Sequence, residues 1–229
     1  MLTRLMRGLG ASRPPRDTPA WKERPALMSR ATWRLARAIS FLGNPIVMAV
    51  PCFLGVCYKA APRWPEWLRW WLVSCGLITL SPFIHIHWGV RTGRFSDHEI
   101  SVREERLRPL LLQLGTVGAT YVLLRRLRAP KLVIALVLSI SAAMIPITAI
   151  TLYWKVSVHV AGTAGTVTVL SLVFGKRAYP LIALVPAVAW SRSVLEHHSP
   201  AQGAVGALLG SLPPLLVFRA LGPLDSTTG

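Results

Sequence analysis

The feature that most restricts what this chain can fold into is its succession of long apolar runs, separated by short clusters of basic residues. A run of about 18 or more apolar residues is long enough to cross the hydrocarbon core of a bilayer as a helix. Residues 40–58, 71–88, 132–152 and 200–217 reach that length, and 109–124, 159–174 and 179–190 are shorter candidate spans, the sixth in chain order being the shortest. Of the 229 residues, 52% are hydrophobic and 15% charged, so the apolar character is not confined to one face of each run. The sequence therefore predicts an all-α fold, a polytopic membrane helix bundle of six to seven transmembrane helices.

The flanks agree with this. Trp64, Trp67, Trp70 and Trp71 cluster before the second run, where an aromatic belt meets the headgroups. Gly162 and Gly165, and the stripe Gly203, Gly206 and Gly210, place small residues where helix backbones can approach closely. Residues 1–37 are Arg-rich and lack a compact apolar core near the start, which reads as a flexible basic tail rather than a cleaved signal. The tail leads into an interfacial helix near residues 30–37, with Arg34 and Arg37 on its polar side. Residues 38–219 form the membrane domain and 220–229 a short C-terminal tail. Cys52, Cys57 and Cys75 lie in apolar stretches without metal-ligand spacing and read as small core residues.

The net charge of +17 would suggest nucleic acid in a soluble protein. Here the Lys and Arg border the apolar runs, where they set topology or meet anionic headgroups and phosphorylated substrates. Nucleic acid is not an expected partner. Lipids are.

Three segments carry polar groups that a lipid-facing helix would not want. The first runs from Gly93 through Asp97 and His98 to Arg103, Arg106 and Arg108. The second is Lys155-Val156-Ser157-Val158-His159. The third runs from Ser191-Arg192 through Glu196, His197 and His198 to Gln202. They follow the second, fourth and sixth spans, so parity places all three on the face that bears the N-terminus. Ionisable groups near membrane depth point to function by default. Guanidinium and ammonium groups clamp phosphate oxygens, and histidines from separate segments offer a nucleophile and a general acid. Asp97 is the only Asp between residues 18 and 224, which argues against a carboxylate-held Mg²⁺. No cofactor or metal is expected.

These residues resemble the type 2 phosphatidic acid phosphatase superfamily, which includes lipid phosphate phosphatases and haloperoxidases. Ser191-Arg192, five residues, His198, three residues, Gln202 is similar to its third signature, S-R-x5-H-x3-D. Val156-Ser157-Val158-His159 resembles the second, P-S-G-H. Arg103, Arg106 and Arg108-Pro109 are loosely similar to the first, K-x6-R-P. The likeness is to a divergent branch with Lys-x-Ser-x-His as second motif and Gln at the final position. It implies metal-independent hydrolysis of a lipid phosphate or isoprenoid diphosphate through a phosphohistidine. His198 would be the nucleophile, with His197 the alternative by register, and His159 the acid. Gln202 would orient His198. Arg192, Ser191, Ser157 and Lys155 would hold the phosphoryl group, with Arg103, Arg106 or Arg108 completing the clamp.

Two departures from the family pattern bear on activity. The Lys expected seven positions before Arg108 is Ser101, and before Arg106 it is Glu99. Gln202 can accept a hydrogen bond from His198 one helical turn away, but brings no negative charge. The competing reading is a catalytically silent relative that binds or scaffolds phosphorylated lipids. A haloperoxidase fits poorly with so many spans, and a transporter lacks the paired broken helices it would need. The larger share of Lys and Arg falls on the face of the three polar segments. The positive-inside rule then predicts a cytoplasmic site, and the resemblance, which is to a prokaryotic-style branch, implies the plasma membrane of a prokaryote as the setting.

Overall fold

A computed structural model describes residues 28–61, 63–100 and 102–222. The basic tail over residues 1–27, the C-terminal stretch 223–229 and Ser101 lie outside the described residues. Within them the elements are helices throughout. They are α1 (Arg30–Leu42), α2 (Pro45–Ala60), α3 (Glu66–Arg91), α4 (Leu107–Arg126), α5 (Lys131–Thr151), α6 (Val158–Phe174), α7 (Leu184–Val194) and α8 (Pro200–Ala220). Short 3₁₀ segments cover Arg103–Glu105 and Gly175–Ala183.

Among the described residues five runs are long and apolar enough to cross a membrane, and the bent pair α1–α2 makes up to six. Leu72, Leu80, Ile84, Leu212 and Leu216 point outward and are exposed. That would be an aggregation liability in water and is the ordinary surface of a helix in lipid. The inner core lies toward the end away from the polar segments, where Phe53, Val56, Leu124, Val133, Val137 and Val169 bury one another.

The structure departs from the sequence reading in two places. The first apolar run is not one helix from residue 40. Gly43 closes α1, and the Asn44 side chain caps α2 by accepting from Ile46 N–H at 2.9 Å, with Pro45 pre-set at the first helical position. The chain bends there by 48°. The helix expected near residues 30–37 therefore extends to Leu42, and it packs against α7, joining the bundle instead of preceding it. The sixth run is not a uniform helix over 179–190 either. Gly175–Ala183 is a 3₁₀ stretch holding Pro180, which leads into α7.

Residues 158–194 form a continuous 37-residue run, about 55 Å if it were straight α-helix. It is not straight. Lys155, just before it, donates from Nζ to the carbonyl of His197, just after it, at 2.7 Å. The run therefore leaves one end of the bundle as α6 and returns to the same end through the 3₁₀ stretch and α7.

The α6–α8 pair fixes the register of that end. A Cβ at Gly210 would collide with the backbone of Ala161, and one at Gly206 would lie 2.6 Å from the Ser157 carbonyl oxygen. Only glycine allows this approach. It brings Ser157 N–H within 3.3 Å of the Gln202 carbonyl, so the start of α6 and the start of α8 sit side by side.

Candidate functional site

All three polar segments meet at the end where α6 and α8 begin. The segment between α3 and α4 supplies Glu99 and Arg106, the one before α6 supplies Lys155, Ser157 and His159, and the α7–α8 junction supplies Arg192, His197, His198 and Gln202. Each is held by identifiable bonds.

Arg192 is the centre. It lies in the last turn of α7, with 1% of its surface exposed. Its Nη1 donates to Ser40 Oγ at 2.8 Å and to Glu99 Oε2 at 2.5 Å. Its Nε is buried without a hydrogen-bond partner, and so is Ser157 Oγ. A buried donor left unmade costs of order 1–3 kcal/mol. Such donors leave room for an acceptor, and carboxylate or phosphoryl oxygens are acceptors that fit a guanidinium. The Arg192 carbonyl accepts from His197 N–H at 3.0 Å and from His198 N–H at 3.2 Å. The chain turns sharply here, with Glu196 at φ +56°.

His198 is oriented by Gln202. Ser199 and Gln202 form a capping box at the start of α8. Gln202 Oε1 accepts from Ser199 N–H at 3.2 Å and lies 3.0 Å from His198 Nδ1. An oxygen already accepting a backbone N–H has only lone pairs to offer, so Nδ1 must carry the proton. That leaves Nε2 with a free lone pair. Burial, then the positive charges of Arg106, Lys155 and Arg192, push the His198 pKa down to about 2, against a smaller upward pull from Gln202. The ring is therefore neutral. His197 is likewise pushed down to about 3, by burial, Arg192 and Lys155. Its Nε2 lies 3.5 Å from Glu99. Lys155 is lowered to about 8 by burial and then by Arg106 and Arg192.

Arg106 is the arginine of the first segment that enters this cluster. It is buried, its Nε donates to Ile100 O at 2.8 Å and its Nη1 to Val156 O at 3.0 Å. It thereby ties the α3–α4 segment to the strand-like approach to α6. Arg108 is exposed, and Arg103 binds Tyr153 O and Glu104 at the surface. Neither joins the cluster. About half a helical turn explains Arg108: Arg106 ends the 3₁₀ turn facing inward, and two residues further on α4 faces out. Ser191 is buried, but its hydroxyl is spent on Val188 O in its own helix at 2.8 Å. Of the expected phosphate-binding positions, Arg103 and Arg108 therefore lie outside the cluster, and Ser191 donates its hydroxyl within its own helix.

Below the cluster a cavity of about 290 Å³ runs into the bundle. Glu99, Arg106, His159 and His198 line its polar end, and Leu136, Ile140, Met144, Thr166 and Val169 its depth. From Ile147 to Leu136 along α5 the cavity wall spans about 16 Å. A polar mouth over an apolar shaft matches an amphiphile in shape. His98 also lines it, while His85 and His87 sit outside, His87 against Phe83 and His98. Among the described residues no group of three His, Cys, Asp or Glu is placed as a metal-ligand set.

Two features escaped the sequence reading. Glu99 stood out only as a missing lysine, and its ion pair with Arg192 spans 93 residues, beyond any local pattern. The capping box was legible, since Ser-x-x-Gln before an apolar run is its signature. Compared with known proteins, the chain matches no family model, no curated protein and no solved structure.

Proposed function

We propose that this protein is a membrane phosphatase that removes phosphate from a lipid phosphate or isoprenoid (di)phosphate through a phosphohistidine, without a metal ion. One observation carries the reading. A buried arginine and a buried serine hydroxyl, each with an unmade hydrogen bond, stand beside a neutral, tautomer-locked histidine at the mouth of an apolar cavity.

In this mechanism Arg192 Nε and Ser157 Oγ hold phosphoryl oxygens, and Arg106 and Lys155 add positive charge. His198 Nε2 attacks phosphorus. His159 takes up a proton as the phosphoryl dianion binds beside it; the bond from phosphorus to the lipid oxygen then breaks, and that oxygen takes the proton from His159. Water then attacks the phosphohistidine, gives its proton to His159, and breaks the P–N bond. Inorganic phosphate leaves and His198 is regenerated. The apolar cavity houses the hydrocarbon chain. The larger share of Lys and Arg on the face of the site supports a cytoplasmic mouth.

A second reading rests on Glu99 and Gln202. A carboxylate on Arg192 and a neutral partner for His198 suit a silent protein that binds phosphorylated lipid. Phosphate release from a panel of lipid phosphates and isoprenoid diphosphates, with purified protein in detergent and EDTA present, separates the two. The phosphatase reading expects release that His198→Ala abolishes and His159→Ala slows at least tenfold, with both variants folded. Lipid phosphate binding without release supports the silent reading, and full release by His198→Ala overturns the nucleophile.

A further inference from the structure

Glu99 sits where an anionic ligand of Arg192 would sit. Its carboxylate takes Nη1 of a guanidinium whose surface is 1% exposed, and approaches His197 Nε2 at 3.5 Å. A carboxylate there supplies the counter-charge that a buried guanidinium needs, and an incoming phosphoryl group would supply the same charge. Ser40 already engages the same Nη1, and the Arg192 carbonyl is held by the His197 and His198 amides.

Room exists for Glu99 to leave. Its side chain is about a third exposed (30%) and stands between two spaces. On one side is the large apolar cavity. On the other is a smaller pocket of about 140 Å³ lined by Arg37, Ser40, Phe41, Asn44, Leu195 and His197. Arg37 there offers a second, more exposed cation to receive a displaced carboxylate. The backbone around Glu99 is pinned. Asp97 Oδ1 accepts from Glu99 N–H at 2.7 Å, Ile100 O accepts from Arg106, and Ser96 is bonded to Glu105 by side chain and backbone. A change at Glu99 is therefore a rotation of one side chain, not a movement of the segment.

We propose that Glu99 is a built-in competing anion. It pairs with Arg192 between turnovers, swings toward Arg37 when a phosphoryl group enters, and returns to expel inorganic phosphate. A tethered group competes at an effective concentration of order millimolar or above, and apparent affinity falls by the fraction of sites that it occupies. A substrate anchored in the bilayer is concentrated enough to win this contest. The released inorganic phosphate is not. The inference rests on the anion site described above, and identifies the residue that sets its product affinity.

The test is direct binding of inorganic phosphate and of decylphosphonate to purified wild type, Glu99→Gln and Glu99→Ala in the same detergent. Folding is checked by size exclusion. We expect wild type to bind decylphosphonate and to bind phosphate weakly. Either variant should bind phosphate at least tenfold tighter. Unchanged or weaker phosphate binding in whichever variant folds would make Glu99 a support for Arg192 and overturn the proposal, while decylphosphonate binding by wild type keeps the site reading. Tighter phosphate binding with no lipid phosphate hydrolysed would keep the competing-anion role and remove the phosphatase. If no form binds either ligand, both fall.

Discussion

Replacing Gln202 by Glu probes the least expected residue of the site. Glu has the same reach as Gln and serves equally in a capping box. One of its oxygens can therefore keep both bonds of Gln202 Oε1, to Ser199 N–H at 3.2 Å and to His198 Nδ1 at 3.0 Å. What changes is charge. In the proposed mechanism the ring becomes cationic as His198 Nε2 bonds to phosphorus, in surroundings where Arg106, Lys155 and Arg192 oppose that charge. A neutral hydrogen bond contributes about 0.5–1.5 kcal/mol and one to a charged group about 1.5–3. The gain in the transition state is then about 1–1.5 kcal/mol, or about tenfold in rate. The helix N-terminus favours the added carboxylate as well.

The assay is kcat/KM for phosphate release, which measures the transition state against free enzyme and substrate. We expect about a tenfold rise for Gln202→Glu. Gln202→Asp brings the same charge but is one methylene shorter and cannot span both Ser199 N–H and His198 Nδ1. It should equal wild type or gain less than Glu. Gln202→Ala frees the tautomer and removes the capping box, and should lose at least about tenfold. A folded Gln202→Glu variant at or below wild-type rate would refute the reasoning, because charge at Nδ1 would not limit the reaction.

Lys155 should give kcat/KM an alkaline limb near pH 8, since its pKa is lowered to about 8 and its charge is lost as pH rises through that value. Lys155→Arg, charged throughout, should move the limb upward, and an unmoved limb would assign it elsewhere. Gly210→Ala should destabilise the folded protein by about 1–3 kcal/mol, read as a lower Tm in detergent, because the new methyl meets the Ala161 backbone. Wild-type Tm would mean that α6 and α8 can part cheaply. For orientation, an impermeant thiol reagent on intact cells should label Arg128→Cys and spare Arg94→Cys. Both positions are exposed and the three native cysteines are buried. The reverse pattern would turn the site to the outer face.

What the sequence disclosed depended on the range of the interaction responsible. Apolar runs are local, and length alone separates a membrane helix from a core helix. The convergence of the three polar segments followed from parity, because each crossing reverses direction. The break at Gly43–Asn44–Pro45 was also local, a cap followed by Pro, but the unbroken apolar composition around it hid the 48° bend. The choice among Arg103, Arg106 and Arg108 was not local. Three arginines within six positions sample every side of a 3₁₀ turn and a helix start, and only tertiary bonds to Ile100 and Val156 select Arg106.

Glu99 marks the limit most sharply. By spacing from Arg106 it occupies the place of a lysine, so a pattern reading records a lost cation and a weakened clamp. In the folded chain Lys155 contributes positive charge to the same cluster from another segment, its charge felt by His197 and His198. Glu99 meanwhile faces Arg192, the guanidinium that such a clamp would use. A single substitution thus inverts sign at one end of the site while the cation reappears at another, and no one-dimensional spacing relates the two. Whether the site is impaired or regulated turns on this geometry. A carboxylate fixed on Arg192 by structural need would block phosphate, whereas one held by a single ion pair beside an open pocket can yield to it. Ser40 keeps one hydrogen bond on the same Nη1 while an entering phosphoryl group replaces the charge of the carboxylate, and that is the physical reason to favour the second.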